Sequence, residues 1–274
     1  MEKIDYYTNL SHKILSSSRE GKQYLDDREI IKLLFLSKNW KLNNYKKYEQ
    51  RQKIKARLTL IDSYYSTNVR SRRNDGIDDI VKSIYKIANS DDELRKLFID
   101  FIRSPNKKHK VGKLFIKTFG WQKSNLKGIK AISLISKYGY FLTQYKFPIV
   151  DKYVRKYHTR ILKYFKSQDE YQKIKLPNSD PDLSIFQRIS ILNSPINNYE
   201  KLDNLLWLTG KIADGNYSLI LNKKKHKILV KRINKAECSS SEYIYCTKKP
   251  LSDIFSPDLI EFIKFVKKIV DLKK

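Results

Sequence analysis

Along most of this chain apolar residues recur at the three- and four-residue spacing that gives a helix one buried face, not at the alternating spacing of a strand. The pattern predicts helices over 30–36, 57–65, 77–88, 93–102, 114–119, 129–142, 150–165 and 202–211, joined by short polar loops. Two boundary signals strengthen it. Asp91, Asp92 and Glu93 place acids at a helix start, where they complement the macrodipole. Ser256, Pro257 and Asp258 read as N-cap, first-turn proline and acid, opening a helix through Phe265 to Val270. The stretch 217–233 differs, because the β-prone runs 218–221 and 227–230 flank a polar Asn222, Lys223, Lys224, Lys225, His226 segment; a β-hairpin is predicted there. Residues 167–200, with Pro177, Pro181 and Pro195, read as loop-rich around a short helix over 183–192. The predicted fold class is mainly α, with a small C-terminal β-hairpin and helix.

Charge changes the picture most. The 274 residues carry 57 Lys+Arg against 29 Asp+Glu, a net +28. A charge of that size repels itself in the compact state, so a polyanion is the expected partner. An AT-rich genome would also favour Lys, Ile, Asn and Tyr, a second source for such an excess. At 41% hydrophobic and 12% aromatic, the chain is too apolar for a disordered basic tail. Two cysteines, Cys238 and Cys246, cannot make a disulfide framework, a four-cysteine zinc site or an iron–sulfur cluster. His12, His109, His158 and His226 are scattered, so neither a metal nor a cofactor is expected. There is no phosphate-cradling glycine loop and no GxSxG nucleophile turn. No run approaches the roughly 20 apolar residues of a membrane span, and the first ten residues lack the order of a signal peptide. The expected setting is the cytoplasm, without a membrane partner.

The segment 126–161, LKGIKAISLISKYGYFLTQYKFPIVDKYVRKYHTRI, is the most informative. A Leu126-Lys127-Gly128-Ile129-Lys130 turn opens an apolar helix, and Phe147-Pro148-Ile149-Val150 then leads into Asp151 and a basic helix. This arrangement resembles the helix-hairpin-helix DNA glycosylase superfamily, in a divergent branch without an iron–sulfur cluster. The family's hairpin reads Leu-Pro-Gly-Val-Gly and is followed about two dozen residues later by Pro-x-x-Asp; here Gly128 to Asp151 spans 151 − 128 = 23 positions. Val154, Lys156, Arg160 and Ile161 fit the apolar, basic, basic, apolar pattern after the aspartate. Lys127 and Lys130 stand where the family has proline and the second glycine. The resemblance covers roughly 55–215, dividing the chain into an N-terminal helical segment (1–54), a glycosylase-like core (55–215) and a C-terminal hairpin and helix (216–274).

The resemblance implies a two-lobed helical glycosylase-like bundle, an enzyme that acts as a monomer on double-stranded DNA, flips out a base and cleaves its N-glycosidic bond. Asp151 would stabilise the sugar cation that forms as the base leaves. The family's nucleophilic lysine falls here on Ala131 and Ile132, leaving Lys137 and Lys130 as the nearest amines; such an amine must be partly neutral, which burial or nearby cations favour. Lys127 and Gly128 would hold phosphate, Tyr65 would wedge into the duplex, and Arg160 would contact DNA. Trp207, Tyr138, Tyr140 and Phe141 are candidates for stacking on the base. Each residue has a plainer reading too: Asp151 as a helix N-cap, the lysines as solvated surface, Tyr65 as a core aromatic. The alternatives to a glycosylase are a non-catalytic basic protein that holds DNA or RNA, and a scaffold for acidic proteins.

Overall fold

The computed structural model describes residues 2–36, 49–65, 76–120, 129–166, 168–172, 180–217, 220–235 and 251–272. The fold is mainly α. The helices are α1 (Glu2–Ser17), α2 (Arg19–Leu36), α3 (Glu49–Tyr65), α4 (Gly76–Ile87), α5 (Asp91–Arg103), α6 (Lys110–Ile116), α7 (Ile132–Leu142), α8 (Lys152–Phe165), α9 (Gln168–Gln172), α10 (Pro181–Asn193), α11 (Tyr199–Ala213), α12 (Lys223–Lys235) and α13 (Pro257–Asp271). Strand among the described residues is a single antiparallel pair, β1 (Thr118–Phe119) and β2 (Ile129–Lys130), with Thr118 opposite Lys130.

Packing divides the chain into two compact units. The first holds Met1–Asp27, Tyr153–Lys175 and Leu192–Lys274; the second holds Arg28–Lys152 and Leu176–Ile191. In the second unit α3 packs on α4 and α7, and α5 on α6 and α7. Its centre is a phenylalanine cluster: Phe98, Phe101, Phe115, Phe147 and Phe186 are fully buried, and Phe115 and Phe186 centroids lie 4.5 Å apart. Burying each such ring is worth up to about 3 kcal/mol. The acids stand in the first turn of α5 as expected, and Ser90 caps the helix, its Oγ accepting from the Glu93 N–H while Glu93 accepts from the Asn89 N–H.

In the first unit α1, α11 and α13 pack against one another. Tyr7 stacks on Phe265 with centroids 4.1 Å apart. The α13 boundary also forms as the sequence predicts, with Ser256 Oγ accepting from the Leu259 N–H and Pro257 in the first turn.

The predicted hairpin over 217–233 is corrected: Lys223–Lys235 is the helix α12. Asn222 caps it by accepting from the Lys225 N–H at 2.9 Å. Leu229 and Ile233, four residues apart, are its buried pair, while Ile228 and Val230 of the same apolar run are exposed among lysines, which themselves favour helix. The predicted 114–119 helix ends at Ile116, and 118–119 is strand instead. The loop-rich 167–200 contains α9 and a full-length α10.

Candidate functional site

The site in the second unit is built where α7 ends. Gln144 and Tyr145 hold φ of 53° and 68°, a left-handed turn that side chains other than glycine adopt only when their surroundings enforce it. Here the Tyr145 N–H donates to the Tyr140 carbonyl, its ring stacks on Tyr140 at 4.5 Å, and its hydroxyl donates to Glu29. The turn sends the chain back along α7. Phe147 and Val150 are fully buried, and the Val150 N–H donates to Ser136 Oγ at 3.0 Å. Asp151 follows at once, half-buried, directly before α8.

Lys137 is the residue after Ser136 and is only 5% exposed. Its Nζ donates to Ser133 Oγ at 2.8 Å and stands 4.9 Å from the centre of the Tyr65 ring. Tyr65, at the end of α3, also approaches Phe141. One hydrogen bond therefore ties the backbone that bears Asp151 to the helical turn that bears Lys137.

Lys130 and Arg160 pair with groups outside this turn. Lys130 Nζ is 2.6 Å from Asp182 Oδ2 on α10. Arg160, in the first unit, donates to the Val270 carbonyl in the last turn of α13 at 3.2 Å, a helix C-terminus where a cation is favoured. Lys127 and Gly128 lie outside the described residues. Tyr138, Tyr140 and Phe141 are completely buried; burial pushes the Tyr138 phenol well above its ordinary pKa. Trp207 is half-exposed and stacks on Tyr24 at 4.2 Å.

Comparison with family models, with curated proteins and with solved structures finds no match to this chain. What the site can do follows from its own residues. Asp151 is a half-buried carboxylate on the segment tied to the α7 turn that bears the buried Lys137, whose amine lies near the Tyr65 ring; a carboxylate can offset a developing cation, and an amine shielded from water can act as a nucleophile. Among the described residues, no group of three or more His, Cys, Asp or Glu could hold a metal ion, and no helix is long and apolar enough to cross a membrane. The residues that sequence reasoning missed are Ser133 and Ser136. Their signal was present as small hydroxyls on an otherwise apolar helix, where each needs a partner.

A second buried charge lies nearby in the same unit. Arg57, 3% exposed, meets Asp91 at 2.9 Å, with Lys53 and Gln50 on the same carboxylate. Burial alone would raise the Asp91 pKa, but Arg57, Lys53 and Gln50 outweigh it and hold the carboxyl below its usual range.

Proposed function

We propose that this protein is a DNA glycosylase of the helix-hairpin-helix type, which extrudes a base from double-stranded DNA and cleaves its N-glycosidic bond. The observation that carries the reading is the Ser136–Val150 hydrogen bond, which sets the Asp151 segment against the turn of α7 that holds the buried Lys137. The net charge of +28 supports a polyanionic partner. As the C1′–N bond breaks, the bonding pair leaves with the base and the sugar becomes cationic; Asp151 offsets that charge and accepts a proton from the attacking water or amine. Where the attacker is Lys137 Nζ, the product is a Schiff base with the opened sugar. Extruding the nucleotide costs a few kcal/mol, which phosphate contacts offset.

The test is incubation with duplexes carrying a panel of damaged, modified and normal bases, followed by alkali to reveal abasic sites. Abasic sites at one class of base support the reading. Borohydride trapping of a covalent adduct, lost in Lys137→Gln, assigns the nucleophile; release without an adduct assigns water. Binding of duplex without release of any base in the panel would favour the non-catalytic basic binder.

A further inference from the structure

A separate feature lies wholly within the first unit: a cleft of about 780 Å³ between the first half of α2, α11 and the start of α12. One wall is the stacked pair Tyr24 and Trp207, with centroids 4.2 Å apart and planes 17° from parallel. The pair is fixed from behind, because Tyr24 Oη donates to the buried Asp203 at 2.6 Å and Lys211 Nζ stands 5.0 Å from the Trp207 ring centre. Arg19, Lys223 and Lys224 are exposed on the cleft's lining, with the Asp27 carboxylate among them. Beyond the cleft, α12 continues with Lys225, Lys227 and Lys231.

We infer that this cleft binds one unpaired nucleotide of a single-stranded nucleic acid. The base lies against the Tyr24–Trp207 wall, and the backbone phosphates follow the lysines of α12. A rigid aromatic wall accepts any base because every base has a π-face, and cations spaced along a helix match a row of phosphates rather than one isolated anion. Asp27 accepts a hydrogen bond from an N–H on the edge of the base. The cavity is of the size that takes a small-molecule-sized group. The inference is independent of base excision, since none of these residues belongs to the second unit.

The experiment uses the full chain and an undamaged single-stranded oligonucleotide with one 2-aminopurine, whose fluorescence falls when it stacks on an aromatic ring. Strong quenching is expected on binding, with an affinity at least tenfold above that for the 2-aminopurine mononucleotide. Tyr24→Leu should abolish most of the quenching and weaken binding about tenfold or more. Lys223→Gln with Lys224→Gln, both exposed and so safe for folding, should flatten the log–log salt dependence by about 1.4, at roughly 0.7 per phosphate on a single strand. Three results would each overturn the inference: no quenching with wild type, equal affinity for the mononucleotide, or an unchanged salt slope in the lysine double variant whose circular dichroism matches wild type. The readout here is stacking and salt-dependent affinity on a single strand, whereas excision is read as base release from a duplex, so each reading fails on its own experiment.

Discussion

Among the described residues, the two units handle positive charge in opposite ways. The second unit buries it: Arg57 and Lys137 are 3% and 5% exposed, each held by a partner on its own or a neighbouring helix. The first unit leaves it outside, with Arg19, Lys223 and Lys224 exposed around an aromatic wall. Buried paired charge is costly to disturb and fixes groups in place, which suits bond-breaking chemistry. Exposed cations contribute little to stability and respond to salt, which suits capture of a polyanion.

The largest effect that would break this contrast is on stability. Asp91→Asn leaves the Arg57 guanidinium buried opposite a neutral amide, so unfolding by urea should show a loss of about 3–5 kcal/mol. The acid limb sharpens the point. Because the folded-state pKa of Asp91 is depressed, its contribution is complete above the unfolded value near 4 and disappears as pH falls through the folded one. The variant should lack that part of the acid dependence; an identical acid limb would show that the pair is not the buried charge described here.

Next come two glycines, one per unit. A Cβ on Gly139 would stand 2.7 Å from the Phe98 ring, and one on Gly210 2.4 Å from Tyr153. Each alanine variant should cost about 1–3 kcal/mol by overpacking. Hydrogen exchange should quicken in α5 and α7 for Gly139→Ala, and in α8 and α11 for Gly210→Ala. The same pattern of quickening in both variants would erase the distinction between the units.

The helical scaffold was legible where apolar spacing was uninterrupted, as in α4, α5, α7, α8 and α11. It was not legible in α1, because Thr8 and Ser11 occupy fully buried positions and donate to the Asp5 and Thr8 carbonyls one turn back, so polar letters stand in an apolar stripe. In α12 the run 228–230 imitates a strand, although Leu229 and Ile233 alone face inward. The site was legible in part: Lys137 sits on an apolar helix in sequence and is buried in the fold. The Lys130–Asp182 pair spans 52 residues and the Arg160–Val270 bond 110, separations that leave no local pattern.

The smallest effect belongs to His109, whose Nδ1 caps α6 by accepting from the Val111 N–H at 3.1 Å. Burial lowers its pKa, with Lys110 acting the same way and Asp100 opposing. Protonation removes the acceptor, so the unfolded state binds the proton more readily, and stability should decline modestly as pH falls from about 6.5, the unfolded value, through the lower folded one. His109→Asn, which keeps a capping oxygen, should flatten that decline in a thermal-melt series; an unaltered slope would assign it to another group.

The proposed role of Asp151, offsetting the charge of a sugar cation, is measured most directly by Asp151→Asn. Asparagine keeps the shape of the side chain and caps a helix almost as well as aspartate, but carries no charge. On a duplex from which wild type is found to release a base, the account predicts that release at saturating protein falls about a hundred- to a thousandfold, while duplex affinity holds or rises and the thermal midpoint stays in place. Base release that persists in proportion to folded protein, with the midpoint lowered, would make Asp151 a helix cap and contradict the account.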